Sequence, residues 1–479
     1  MPAPDRAAAT ALALALALAL VGAGAGGCGG ETGTISLRLA TAPGSTLLAD
    51  VVTARLTLST PRREVVATRG DDGTFHLALE VAADGPTANV TFEGEDAGGG
   101  LIAYGCTGPL PIAAIDADVA IYVAGPGTLA AAPVALDRPR ALTGTAGFAF
   151  GVLIAGGVDG AGAASAAVDV YDVYGHRLQR GLDLPAPRRA PTVAAGNAGY
   201  AYLFGGADAA GLPTGTLWRF DTTVAPSGAY QALVELPALA RIGARAAAIR
   251  AETFVVTGEP PAAPAILDGI SASVVALPTT PALIGTASSV TGVGVGGAEA
   301  IVIVAGAGTG TGGLARVTSA GVTDLAAPAS AARTGHGAAV SGDGVVTVVG
   351  GALGQALATS GIRIDAVTST VTELPAGLTT ARRDAAVAQV GRHILVAGGT
   401  DTAGAVLATA EVLDAATLDH VATVPMVAAR TGATAHLLST GQILIVGGVD
   451  AAGAPVAALE LFTPDPAGAF ATGAVACGR

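Results

Sequence analysis

Along most of this chain, apolar stretches run into glycine at a regular spacing. Between residues 152 and 448 an apolar strand meets a glycine pair or its remnant seven times: VLIAGG (152–157), YLFGG (202–206), FVVTG (254–258), VIVAG (302–306), VVTVVGG (345–351), ILVAGG (394–399) and ILIVGG (443–448). The copies recur at intervals of roughly 50 residues, the period of a four-stranded propeller blade. Residues 382–425 and 430–473 show the unit most fully. Each has an inner strand, a second strand ending in the glycine pair, a turn, a third strand (AEVLD, LELF) and an outer strand. VDVYD (168–172), LWRFD (217–221), AILD (265–268) and IRID (362–365) are third-strand counterparts. Glycine suits the end of the second strand because it tolerates a sharp turn against neighbouring backbone.

Upstream the pattern changes. Residues 35–39, 54–58, 75–79, 89–92 and 119–123 are short segments alternating apolar and polar, with turn signals at 71–73 and 97–100. They predict a small β-sandwich over 34–125, bounded by Gly125-Pro126-Gly127. The expected fold is therefore all-β: a sandwich at 34–125, then a seven-bladed β-propeller at 128–479. Two stretches compete for the outer strand of the closing blade, Thr128 to Ala132 and Ala469 to Thr472.

The glycine pair after an apolar strand, the aromatic-plus-Asp third strand and the Pro…Arg lead into each blade resemble the kelch-repeat family. The family's outer-strand tryptophan is absent, since the single Trp218 stands in a third strand. The resemblance covers about 340 residues and implies a fold, because propellers of one shape serve many tasks. Some kelch-type propellers are copper oxidases, whose histidine and tyrosine cluster has no counterpart motif here. Others are sialic-acid isomerases, which use channel arginines with a carboxylate.

Residues 1–28 read as an export segment. Arg6 precedes an apolar run from Ala7 to Val21, then small residues 22–27 and Cys28. The segment resembles a bacterial lipoprotein signal, which implies lipidation of Cys28, with 29–33 as a flexible tether. The alternative is secretion with cleavage after Ala25, at Ala23-Gly24-Ala25. An oxidising compartment makes the other two cysteines informative. Cys106 and Cys477 are expected to form a disulfide between the first domain and the chain's end, the alternative being two unpaired thiols.

Composition changes the picture in one respect. The net charge is −13, all 24 basic residues are arginine, and no basic run occurs, which argues against nucleic acid. Beyond the N-terminus no stretch reads as a membrane-spanning helix.

Alignment on the glycine pairs exposes an arginine 16 or 17 residues upstream in six copies: Arg140, Arg189, Arg241, Arg333, Arg382 and Arg430. The fourth copy lacks it. These arginines lead into the inner strands and should circle one mouth of the central channel. They either bind an anion or hydrogen-bond backbone carbonyls between blades, a use the rigid guanidinium fork suits. A second repeated element, G-G-x-D-x-x-G, places Asp159, Asp208, Asp401 and Asp450 in turns where the carboxylate accepts backbone N–H groups. The six histidines lack metal-ligand spacing, and GAGTGTGG (306–313) imitates a phosphate loop with no lysine after it. No catalytic residue, metal or cofactor is expected.

The functional expectation is a non-catalytic exported protein of the cell envelope. A lipid on its N-terminus would anchor it to the outer membrane or cell surface, and its propeller would bind a protein or glycan. Periplasmic or secreted localisation is the alternative to anchoring. The alternative function is an enzyme acting on an anionic sugar at an arginine-lined channel mouth.

Overall fold

The computed structural model describes residues 15–18, 35–70, 75, 87–110, 117–197, 199–224, 227–258, 264–278, 289–295, 299–306, 313–375 and 377–470. Among them the chain is almost wholly β, and no helix is long and apolar enough to cross a membrane.

The N-terminal part holds two sheets. Thr53–Leu58 pairs antiparallel with Arg63–Thr68 on one side and Val90–Glu95 on the other, and Leu101–Cys106 completes that sheet. The second joins Ile35–Ala40 in parallel to Ala117–Tyr122, with Ala15–Leu18 antiparallel on its open edge. Successive strand side chains face opposite ways. Alternation therefore sends Leu56, Leu58 and Phe92 from one sheet, and Leu37, Val119 and Ile121 from the other, into one buried core. Of the strand expected at 75–79 only Phe75 is described, buried in that core. The strand Arg63–Thr68 carries a largely exposed, charged sequence and gave no alternation signal.

The rest is a β-propeller of four-stranded antiparallel sheets. The first comprises Gly144–Phe148, Gly151–Ala155, Val168–Asp172 and Arg177–Arg180, paired in chain order. The inner strands of the following sheets are Thr192–Ala195, Arg245–Arg250, Ser289–Val295, Gly337–Val340, Ala386–Val390 and Thr431–Leu437. Each inner strand packs on the next, and Thr431–Leu437 packs back on Gly144–Phe148, so the ring closes. Core clusters lie between neighbouring sheets. Leu153 and Ala155 of the first meet Leu203 and Trp218 of the second.

The closing strand is Thr128–Ala135. It pairs antiparallel with Ala458–Thr463 as the outer strand of the last sheet, so a segment upstream of the first sheet locks the ring. The rival stretch begins in a short helix, Pro466–Ala469, capped by Asp465, whose carboxylate accepts from Ala467 N–H. The remainder of that stretch, 471–472, lies outside the described residues.

The N-terminal part sits on the face opposite the glycine pairs. Ala120 N–H donates to the Tyr174 carbonyl (2.7 Å), the Arg38 guanidinium to the Gly175 carbonyl (2.6 Å), and Gln442 to the Tyr122 carbonyl (3.3 Å). Tyr174 and Gly175 form the turn after the first sheet's third strand, and Gln442 precedes the last sheet's second strand. Both turns lie at the strand ends away from the glycine pairs. The glycine-pair face remains open to solvent at Leu142, Leu212, Ile242 and Val427, which are 43–63% exposed.

Candidate functional site

The repeated arginines are clamps between sheets. Arg140, Arg333, Arg382 and Arg430 are at most 1% exposed. Each guanidinium donates to the carbonyl of the first glycine in its own sheet: Gly156 (2.8 Å), Gly350 (2.9 Å), Gly398 (3.1 Å) and Gly447 (3.1 Å). The arginine backbone in turn binds the preceding sheet. The second glycine's N–H donates to the next arginine's carbonyl in the pairs Gly157–Arg188, Gly206–Arg241, Gly351–Arg382 and Gly399–Arg430, at 2.7–2.9 Å. The first glycine must lack a side chain for this approach. A Cβ on Gly398, which has φ +65°, would lie 2.3 Å from the Arg430 carbonyl oxygen. Glycine pair and arginine thus form one relay that links successive sheets around the ring.

What else each guanidinium meets depends on one third-strand position, the residue paired with the strand residue two before the first glycine. That residue is Asp169, Glu411 or Glu460 in the first, sixth and last sheets. There the arginine forms a buried ion pair: Arg140–Asp169 (2.7 Å), Arg382–Glu411 (2.6 Å) and Arg430–Glu460 (2.5 Å). Glu411 and Glu460 also accept two backbone N–H groups each, at Thr379 and Thr380 and at Val427 and Ala428. In the second sheet the position is Trp218, and an arginine stacks on its ring at 4.3 Å. In the fifth it is Ile362, and Arg333 relies on the Ser330, Gly350 and Ser360 carbonyls. Burial pulls the Arg333 pKa down to about 10. Arg241, in the third sheet, donates to the Ala238 and Val256 carbonyls.

One position needs correction. The buried arginine of the second sheet is Arg188, which is 3% exposed and donates to the Gly205 carbonyl at 3.0 Å. Arg189 is half-buried, and its backbone exchanges two hydrogen bonds with Ala207, as Arg383 does with Thr400. A spacing of 16 or 17 residues admits both members of the Arg188-Arg189 pair. The matching Arg382-Arg383 pair, read in register, selects the first.

The G-G-x-D-x-x-G loops are self-contained turns. Asp159, Asp208, Asp401 and Asp450 each accept N–H bonds from residues two and four further on, at 2.8–2.9 Å. Among the described residues no three His, Cys, Asp or Glu converge as metal ligands would. Cys106 is buried and disulfide-bonded. Cys477 and Cys28 lie outside the described residues.

The glycine-pair mouth of the channel carries three residues the repeat does not supply. Arg245 starts the third sheet's inner strand, where the counterparts are Gly144, Thr192, Ser289, Gly337, Ala386 and Thr434. It is the one long side chain at that level. Asp384 enters the sixth sheet. Its N–H donates to the Gly335 carbonyl (2.7 Å), and a Cβ on Gly335 would lie 2.7 Å from its Oδ1. His336 follows Gly335, and its Nδ1 meets the Arg333 carbonyl at 3.1 Å. Because a carbonyl only accepts, Nδ1 carries the proton. Burial pulls this imidazole's pKa down to about 4, so it is neutral near pH 7, with Nε2 as an acceptor.

Comparison with known proteins adds little. No family model matches the chain, and no curated protein matches it. The solved structure of YjhT aligns with a TM-score of 0.42 at 14% identity, over 68% of this chain and 96% of that one.

Proposed function

We propose that this chain is an exported, non-catalytic cell-envelope protein, anchored by a lipid on Cys28, whose propeller binds a protein or glycan. In this reading the ring is a seven-bladed kelch-type propeller, the N-terminal two-sheet part is a β-sandwich stalk, and the glycine-pair face is the binding face. The observation that carries it is the division of faces. The N-terminal part covers turns on one face, while Leu142, Leu212, Ile242 and Val427 stand in solvent on the other. Apolar side chains left in solvent on one face offer contact area to a partner. The disulfide at Cys106 supports export, since such bonds persist in oxidising compartments. It also tests the anchor. A lipidated Cys28 leaves only Cys477 as the partner among the chain's three cysteines, and a Cys28–Cys106 bond in peptide maps would end the anchored reading.

The binding experiment compares the mature protein with a variant carrying Leu142→Ser, Ile242→Ser and Val427→Ser on a glycan array and on immobilised envelope proteins. The proposal expects ligands of the first that the second loses, with unchanged melting. A ligand set indifferent to these changes contradicts it. A second reading, an enzyme acting on an anionic sugar at the channel mouth, draws on Arg245 because the repeated arginines are occupied at the sheet junctions. Turnover of an acidic sugar, lost in Arg245→Gln, would favour it.

A further inference from the structure

One edge of the N-terminal part is closed by a segment that export would remove. Among the described residues, Ile35–Ala40 has two strand neighbours, Ala117–Tyr122 on one side and Ala15–Leu18 on the other. A strand residue's N–H and C=O leave on the same side, and the side alternates from residue to residue. The Ala40 carbonyl accepts from Val123 N–H at 2.7 Å, so Ala40, Arg38 and Ser36 bond toward Ala117–Tyr122. Ile35, Leu37 and Leu39 therefore turn their backbone groups to the outer edge. There Leu18 pairs with Ile35 and Leu16 with Leu37, antiparallel.

Ala15–Leu18 lies within the apolar run of the export segment. Cleavage after Ala25 and cleavage before Cys28 both remove it, so an open edge rests on the exported reading but not on the lipid. The edge then lacks the usual protection, which is proline, a bulge or a charged side chain. Ile35–Ala40 has no proline and pairs with Ala117–Tyr122 without a register shift. Its one charge, Arg38, is bound to the Gly175 carbonyl of the propeller. Leu37, on the opposite face, is 1% exposed in the core between the two N-terminal sheets. Both faces of the strand are thus held, and its outward backbone groups stay in place to pair.

A strand that repeats the pattern of Ala15–Leu18 fits this edge, and Ile35–Ala40 of a second copy does so. Antiparallel pairing about a two-fold axis at Leu37 sets Leu37 opposite its own counterpart and Ile35 opposite Leu39. The second copy then puts Leu37 and Leu39 at the register positions of Leu16 and Leu18. Arg38 falls opposite Ser36, so no like charges meet across the pair. The outward groups of Ile35, Leu37 and Leu39 face their counterparts directly and can exchange about six hydrogen bonds. We propose that the mature protein is a two-fold dimer joined along Ile35–Ala40, and that the export segment covers this edge until it is removed. Such a contact is self-complementary and closes at two copies. It goes beyond the proposed binding of a protein or glycan and uses none of the glycine-pair face.

The test is sedimentation velocity of the mature protein at micromolar concentration in non-ionic detergent, beside the full chain with residues 1–27 retained, both oxidised. The expected result is a dimer of the first and a monomer of the second. Ile35→Pro should raise the dimer's dissociation constant tenfold or more with unchanged melting, because proline lacks an N–H yet is tolerated at a strand's first residue. Amide exchange needs no variant. Over residues 35–40 of the mature protein it should speed up tenfold or more on dilution from dimer to monomer. A monomeric mature protein overturns the proposal, as does a full chain that dimerises equally well. A dimer indifferent to Ile35→Pro, with exchange at 35–40 unchanged by dilution, is joined elsewhere and overturns it too. Mass spectrometry of the mature N-terminus keeps two failures apart. Retained residues 1–27 end the exported reading and the open edge with it, whereas a processed chain that stays monomeric ends the dimer alone.

Discussion

Arg430 and Glu460 show most plainly what the repeated arginines do. Both are fully buried, and each also satisfies backbone groups, the Gly447 and Ala458 carbonyls and the Val427 and Ala428 N–H groups. Removing one partner of such a pair leaves an uncompensated buried charge, a loss of about 3–5 kcal/mol. Glu460→Ala should therefore lower the denaturant midpoint strongly, whereas Asp450→Ala, in an exposed turn, should cost about 1 kcal/mol or less. Similar midpoints for the two variants would contradict the clamp. Histidine supplies a second prediction at this scale. Burial lowers His176 to about 3 and His336 to about 4, from 6.5. The unfolded chain thus binds protons that the folded chain refuses. The stabilising effect is fully present above pH 6.5 and is lost as pH falls toward 4 and then 3, by about 1.4 kcal/mol per pH unit for each histidine. Thermal melts at pH 7.5, 6 and 5 should show a falling midpoint, less steep in His336→Gln. A flat profile would contradict the burial of these rings.

At the scale of elements, the glycine-ended strands were legible because one short pattern marks the second strand of every sheet. The strand that closes the ring was not, because both candidates are short, apolar and alanine-rich. A local signal did exist. Asp465-Pro466 is a helix start, the aspartate capping and the proline occupying the first helical position, and that places Ala469, where the rival stretch begins, in a helix. The partner of each arginine was also missed, since it lies 29 or 30 residues downstream in sequence and varies between carboxylate, tryptophan and aliphatic side chain. Trp218 fills this position in the second sheet, where Arg188 stacks on its ring. The Ala131 carbonyl takes the Tyr122 hydroxyl, so Ala130, paired with Leu461, is the residue that faces the ladder. Because Thr128–Ala135 locks the last sheet, Ala130→Pro should remove a ladder hydrogen bond and open that edge. Limited proteolysis should then cut first near Ala458–Thr463. Wild-type resistance there would show that the strand is dispensable.

On the scale of the whole molecule, the sequence conveyed symmetry and the structure conveys where symmetry fails. Repetition exposed the arginines but could not separate clamp from ligand site, because that depends on which way each side chain is satisfied. Arg245 stayed hidden for the opposite reason. It occurs once, at a position where the other sheets carry small residues, and no repeat-based comparison selects it. Cys106 is disulfide-bonded. On the chain-entropy account, a bond closing the loop to Cys477 contributes on the order of 5 kcal/mol. Reduction should accordingly lower the melting midpoint by several degrees, and an unchanged melt would show that the bond is dispensable.

The central claim is that the repeated arginines hold the ring together, whereas Arg245, a single long side chain among small counterparts, does not. It is tested most directly by measuring the melting temperatures of Arg333→Gln and Arg245→Gln side by side. At about 2 °C per kcal/mol for a domain of this size, Arg333→Gln should melt at least about 5 °C below wild type, because three carbonyls lose their donor. Arg245→Gln should melt within about 2 °C of wild type. Wild-type melting in Arg333→Gln, or an equal drop in Arg245→Gln, would contradict the account.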